Sequence, residues 1–179
     1  MVSTEQACIT ELSELDLQRM HGILQHAYAV TEVEIWGENY SRMSLEEFIS
    51  LVKKGEIILA KINNETVGSI HVYPLSKDVY AFGLLSADFT KKGLGIGRSL
   101  ISAAEEFAKN NGAKTMALEI LKPRDFEVPV KLILHDWYER LGYTYITSML
   151  FEERKPNKTE KAKQLKVPSV FDCYEKSLQ

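Results

Sequence analysis

The chain has 179 residues, with 22 Lys and Arg against 25 Asp and Glu and a formal net charge of −3. That length predicts one domain over residues 1–179 with a core that needs no disulfide staples, and the slight acidic excess disfavours nucleic acid as a partner. No apolar run approaches the roughly 18 residues of a membrane helix. Residues 1–16 lack a basic and apolar leader pattern, and Cys8 and Cys173 are too few for a disulfide framework. The expectation is a reduced, cytoplasmic protein without membrane association.

In chain order, residues 6–10 read as a short strand. Leu12, Leu15, Met20, Ile23, Leu24 and Ala27 fall near a 3.6-residue period and predict a helix over 12–29. Residues 31–43 hold Trp36 and Tyr40 without a period and read as loop or broken helix. Ser44 and Glu47 spell a capping box for a helix through Phe48, Ile49 and Val52 that stops near Gly55. EIILAKI and TVGSIHVY flank Asn63-Asn64-Glu65 as a hairpin, and VYAFGLLSA follows as a third strand. A glycine-rich turn leads into a helix whose stripe is Leu100, Ile101, Ala104, Phe107 and Ala108. TMALEIL is a buried strand. PVKLILHDWYERLG is a helix opened by Pro129 and closed by Gly142, with Val130, Ile133, Leu134, Trp137, Tyr138 and Leu141 on its apolar face. YTYITSMLF and SVFDCYEK are the last strands. The order describes a mixed α/β domain in which the strands flanking helix 97–111 are parallel.

Charge is uneven. Residues 1–50 carry nine acids against Arg19 and Arg42, and EERKPNKTEKAKQLK (152–166) carries six bases against three acids. Solvated surface accounts for both. The alternative for the acidic half is a wall that attracts a cationic substrate, which mildly favours a polyamine-like or aminoacyl amine over a phosphorylated one.

The most specific segment is LLSADFTKKGLGIGRSLISAAEEF. Gly93, Gly95 and Gly97 alternate between a strand and a helix, where glycine admits close ligand approach and φ > 0. The helix start adds unpaired N–H groups and a positive dipole end, so the turn suits a pyrophosphate, with Lys91, Lys92 and Arg98 around it. No GxxxxGK[ST] loop is present. A GxGxxG dinucleotide fingerprint fails at Arg98, although Glu119 lies about twenty residues on. A basic residue, two others, then Gly-x-Gly fits Lys92-Gly93-Leu94-Gly95-Ile96-Gly97.

That segment resembles the acetyl-CoA loop of the GNAT superfamily of N-acetyltransferases, with Lys92 in place of the usual Arg or Gln. Trp137-Tyr138-Glu139-Arg140-Leu141-Gly142-Tyr143 is similar to the family's aromatic-Tyr-x-x-x-Gly-aromatic signature. The element order agrees over roughly residues 5–177. The resemblance implies a GNAT-like fold: a central, mostly antiparallel sheet, a parallel βαβ pair at the acyl-CoA turn, and about four helices. It implies acetyl-CoA as cosubstrate, without a metal, held by Lys92, Gly93, Leu94, Gly95, Ile96, Gly97 and Arg98 at the pyrophosphate. Leu85, Ser86 and Ala87 would pair with the pantetheine amides. The family's frequent asparagine seven residues before the signature tyrosine is Lys131 here, and PRDFEVP looks like an insertion.

The implied reaction is direct attack of a primary amine on the thioester in a ternary complex, the acceptor being a small molecule or a peptide. Tyr138 matches the residue that protonates the departing thiolate; on spacing alone it would be core. Glu119 is the candidate base, with a solvent-facing strand position equally open. His71 titrates in the useful range but reads better as a half-exposed strand histidine. His135 reads as helix surface or pocket rim. Glu32, Glu34 and Trp36 are candidates for the acceptor pocket, with plain surface loop the alternative. A main-chain N–H near Leu85 or Ser86 would serve the oxyanion if a bulge frees it. The competing classes are a non-catalytic acyl-CoA sensor and a dinucleotide-binding module, in a monomer or homodimer.

Overall fold

The computed structural model describes residues 1–179. Seven strands form one sheet in the order β1-β2-β3-β4-β5-β7-β6. They are β1 (Ser3–Gln6), β2 (Ile57–Ile62), β3 (Glu65–Pro74), β4 (Val79–Ala87), β5 (Thr115–Pro123), β6 (Thr144–Leu150) and β7 (Ser169–Ser177). Every neighbouring pair is antiparallel except β4 and β5. Four helices exceed two turns: α1 (Glu14–Thr31), α3 (Leu45–Lys53), α4 (Ile96–Asn110) and α5 (Pro129–Arg140). Single turns α2 (Val33–Trp36), α6 (Phe151–Arg154) and α7 (Thr159–Ala162) complete the set.

Strand periodicity sorts the core. Ile58 and Ala60 of β2 face the large cluster built on α4, while Ile57 and Leu59 face the cluster under α1 and α3. Both faces of β2 are therefore covered, which explains its unbroken apolar sequence. In α4, Leu100, Ile101, Ala104 and Ala108 are buried as the period requires. A third cluster, Ile35, Trp36, Leu121, Phe151 and Phe171, joins α2 and α6 to the far end of the sheet.

Several expectations need correction. The first strand is Ser3–Gln6, not 6–10; it is a polar, exposed edge strand on β2, so no apolar pattern marks it. The first helix starts at Glu14 because Ser13 caps it: the Ser13 Oγ accepts Asp16 N–H at 3.1 Å, and the Asp16 carboxylate accepts Ser13 N–H at 2.9 Å. At α3 only half a capping box forms, with Ser44 Oγ accepting Glu47 N–H. In α5 the expected apolar face is partly inverted: Ile133 is 64% exposed, whereas Lys131 is 7% exposed.

Lys131 is buried because its Nζ donates to Glu32 Oε2 at 2.8 Å, and Glu32 is itself buried. Trp36 Nε1 donates to the other Glu32 oxygen at 3.2 Å. This pair joins the end of α1 to the first turn of α5 across 99 residues. Removing one partner strands a charge in low dielectric, whereas replacing both does not. Lys131→Ala is expected to lose about 3–5 kcal/mol in urea unfolding, and the double change Glu32→Leu with Lys131→Met is expected to recover most of it.

Candidate active site

The parallel ladder between β4 and β5 covers only Val79–Ala81 against Thr115–Ala117. Beyond it β5 stays paired to β7 through Pro123, so β4 from Phe82 to Ala87 has an open edge on that side. On its other edge the β3–β4 register jumps from Ser69↔Ser86 to His71↔Gly83, leaving Leu84 and Leu85 opposite Ile70 alone. Leu84 sits at φ +50, a strained value for leucine. This is a bulge, which redirects main-chain groups out of the ladder. Burial pushes the Tyr28 hydroxyl up to about 12, partly offset by the Arg42 charge.

Two cavities flank this strand and share Ala27 and Thr31 in their walls. The first, about 700 Å³, is lined by residues 91–98, Ala87, α1 and Trp137. Gly93 and Gly95 have φ near +77, and a Cβ at either would meet nothing within 4 Å, so backbone conformation rather than crowding requires glycine there. Gly97 is different: its Cβ would lie 3.0 Å from Trp137 Cη2. Gly95 caps α4 without a side-chain partner, which leaves the first N–H groups of the helix unpaired. Lys92 and Arg98 line the cavity, and no carboxylate pairs with either. Asp88 also borders it. Its carboxylate accepts from Thr90 Oγ1 and N and from Arg19, and these contacts hold its pKa below the usual range. His26 stacks on Phe89 at 4.3 Å beside the same space, a platform with no sequence signal.

The second cavity, about 460 Å³, runs from Gly83, Leu84 and Leu85 past Tyr138 to an aromatic wall containing Trp36, Tyr40 and Phe171. Consecutive residues of α5 thus serve different cavities, Trp137 the first and Tyr138 the second. Burial holds the Tyr138 phenol well above 10, so it keeps its proton and acts as a donor. Ser86 is buried with its Oγ unpartnered. His71 lines the second cavity, with Nε2 3.0 Å from Glu56 Oε1 and its ring on Tyr73. A carboxylate only accepts, so that bond puts the proton on Nε2 and leaves Nδ1 as a base. Burial outweighs Glu56 and lowers the His71 pKa, which keeps the ring neutral. His135 lies elsewhere, its Nδ1 2.6 Å from the Tyr174 hydroxyl.

Glu119 also faces this cavity, but both oxygens are engaged, by Arg154 Nε at 2.8 Å and Lys155 Nζ at 2.6 Å. Glu32 and Trp36 line it too, with the Glu32 charge already matched by Lys131. Glu34 is exposed and outside it. The alternative of an acidic wall from residues 1–50 is not met, since of those nine acids only Glu32 lines either cavity. Asp16 caps α1, Glu46 and Glu47 sit in the first turn of α3, and Glu5 pairs with Lys61.

The sequence matches the profile of the Acetyltransferase (GNAT) family over residues 17–143. The chain belongs to the GNAT family. Among solved structures it is similar to an aminoglycoside 6′-N-acetyltransferase complexed with coenzyme A (TM-score 0.68, 16% identity, 100% of this chain and 97% of that one). It is also similar to yncA of Salmonella typhimurium with acetyl-CoA (TM-score 0.68, 12% identity, 100% and 95%). A third is N-acetylglutamate synthase of Neisseria gonorrhoeae with coenzyme A and N-acetyl-glutamate (TM-score 0.66, 15% identity). This GNAT chain spans all of its own length there but 35% of the synthase, and 61% of a Bacillus anthracis streptothricin acetyltransferase chain. No protein of curated function matches the sequence.

Burial, then repulsion from Arg42 and Lys158, lowers Lys161 to about 8, against about 10.4 for an unfolded lysine. Between those values the unfolded chain binds the extra proton, so this group makes stability rise with pH from about 8 to about 10.4. Denaturant unfolding across that range is expected to show the slope, and Lys161→Met to remove it.

Proposed function

We propose that this protein is an N-acetyltransferase that moves an acetyl group from acetyl-CoA to a primary amine by direct attack in a ternary complex. The observation that carries this is the open edge of β4, with an unpaired glycine turn at one end and a bulge beside Tyr138 at the other. The free N–H groups of residues 93–98, with Lys92 and Arg98, suit the pyrophosphate. The open main chain at Leu85, Ser86 and Ala87 suits the two pantetheine amides as an added strand. A thioester held this way lies where the two cavities meet, and the acceptor enters from the second.

The amine nitrogen attacks the thioester carbon, and its proton passes to His71 Nδ1, directly or through a water. His71 fits this step better than Glu119, whose two oxygens are committed to Arg154 and Lys155. The bulge at Leu84–Leu85 offers an N–H to the oxyanion. When the C–S bond breaks, the Tyr138 O–H donates to the leaving sulfur. Because burial holds this phenol well above a thiol's ~8.5, Tyr138 stabilises the thiolate by a hydrogen bond rather than by surrendering its proton.

Free-thiol release across an amine panel tests this reading. Tyr138→Phe is expected to lower kcat about a hundredfold, and His71→Gln a hundredfold or more, with acetyl-CoA affinity held in both. Acetyl-CoA binding without turnover of any amine would make the chain an acyl-CoA sensor instead. In thermal unfolding, coenzyme A at about 100 times its Kd is expected to add about 2.7 kcal/mol, and NAD at the same concentration nothing.

A further inference from the structure

The second cavity has the opposite charge to the protein. Five cations line it, Arg42, Lys131, Lys155, Lys158 and Lys161, against two carboxylates, Glu32 and Glu119. Lys131 and Lys155 are the ones paired with those carboxylates. Arg42, Lys158 and Lys161 have no carboxylate within ion-pair distance, which leaves a surplus of three positive charges in a chain of net charge −3. Two of the three come from the basic segment 152–166, which gives Lys155, Lys158 and Lys161 to the cavity wall, while Lys163 pairs with Glu160 outside it.

Two of these cations, Arg42 and Lys161, are held in place. Lys161 Nζ lies 5.5 Å from the ring centroids of both Trp36 and Tyr40, which stack on each other at 4.8 Å, and donates to the Arg42 carbonyl at 3.4 Å. The Arg42 guanidinium sits 5.4 Å over the Tyr28 ring. Lys166 N–H on the Ile35 carbonyl, at 2.8 Å, pins the segment against α2. The Tyr40 hydroxyl is buried with no hydrogen-bond partner, and desolvation keeps it protonated and able to donate. An orphaned donor beside unpaired, mutually repelling cations is costly unless a ligand completes it.

We infer that the acceptor amine carries an oxyanion, a carboxylate or a phosphate, which Arg42, Lys158, Lys161 and the Tyr40 hydroxyl hold at the aromatic end of the cavity. The inference rests on the acetyltransferase reading above and specifies its acceptor. The amine then reaches the β4 bulge while the anion anchors the far end, and a polycation is repelled. This reverses the preference for a polyamine that the acidic half of the sequence suggested.

The test compares matched amines by thiol release at low salt: tyrosine against tyramine, 6-aminohexanoate against hexylamine, and phosphoethanolamine against ethanolamine, with spermidine as the polycation. In at least one pair the anionic member is expected to exceed its partner in kcat/KM by about tenfold or more, the effect of one charge-assisted hydrogen bond. Which pair responds separates carboxylate from phosphate. Added salt and the double change Arg42→Gln with Lys161→Gln are each expected to shrink that ratio through KM. Calorimetric titration of the same probes into the coenzyme A complex is expected to rank them identically, independent of turnover. Spermidine or the partners lacking the anion performing as well in every pair overturns the inference and leaves the acetyltransferase reading intact. Failure of coenzyme A to bind overturns both.

Discussion

After Ala81 and Ala117 the β4–β5 ladder stops, while β5 continues against β7 and β4 continues against β3 only. A sheet whose inner strands are otherwise paired on both sides thereby keeps one open main-chain edge in its middle. Unpaired backbone at an exposed edge invites aggregation; here α1 and α5 flank the gap, so only a narrow, extended group can reach it. The bulge opposite Ile70 belongs to the same deviation. It lies beside the second cavity, and the strain at Leu84 accompanies it. The glycine turn terminates the same strand. One irregular β4 therefore sets the position of a glycine turn, an open main-chain edge and a bulge.

Electrostatics divides the molecule along the same line. The first cavity collects Lys92 and Arg98 without partners. The second collects three cations without partners and two ion pairs. Acids that dominate the N-terminal half are spent locally, at helix starts and in cross-strand pairs, and contribute little to either cavity. The Lys131–Glu32 pair is the exception. It places a carboxylate in the wall of the second cavity and neutralises it in the same contact, fixing the junction of α1 and α5.

Where side chains and local sequence decide the outcome, the sequence was legible. The capping serines at 13 and 44 differ in this respect, since only Ser44 stood out, but α4, α5, the hairpin and the alternating glycines followed from period and turn chemistry. The parallel pair followed from the βαβ order. The edge strand β1 carries no apolar alternation and was displaced by a few residues. Long-range pairing was not legible: Lys131 reads as a polar residue on a helix until Glu32 is found 99 positions away. The same holds for the basic segment. Its composition suggested solvated surface, and only the contacts of Leu165 and Ala162 with the Trp36 cluster bring Lys158 and Lys161 to the cavity wall. His71 had the right chemistry but no local sign of Glu56, the carboxylate that sets its tautomer.

Amide hydrogen exchange with and without coenzyme A reads out whether the proposed cosubstrate lies along the open edge of β4. The account predicts slowed exchange at residues 84–87 and 93–98, with β1 and β6 unchanged. Unaltered exchange in those two stretches, with protection arising elsewhere, would contradict it.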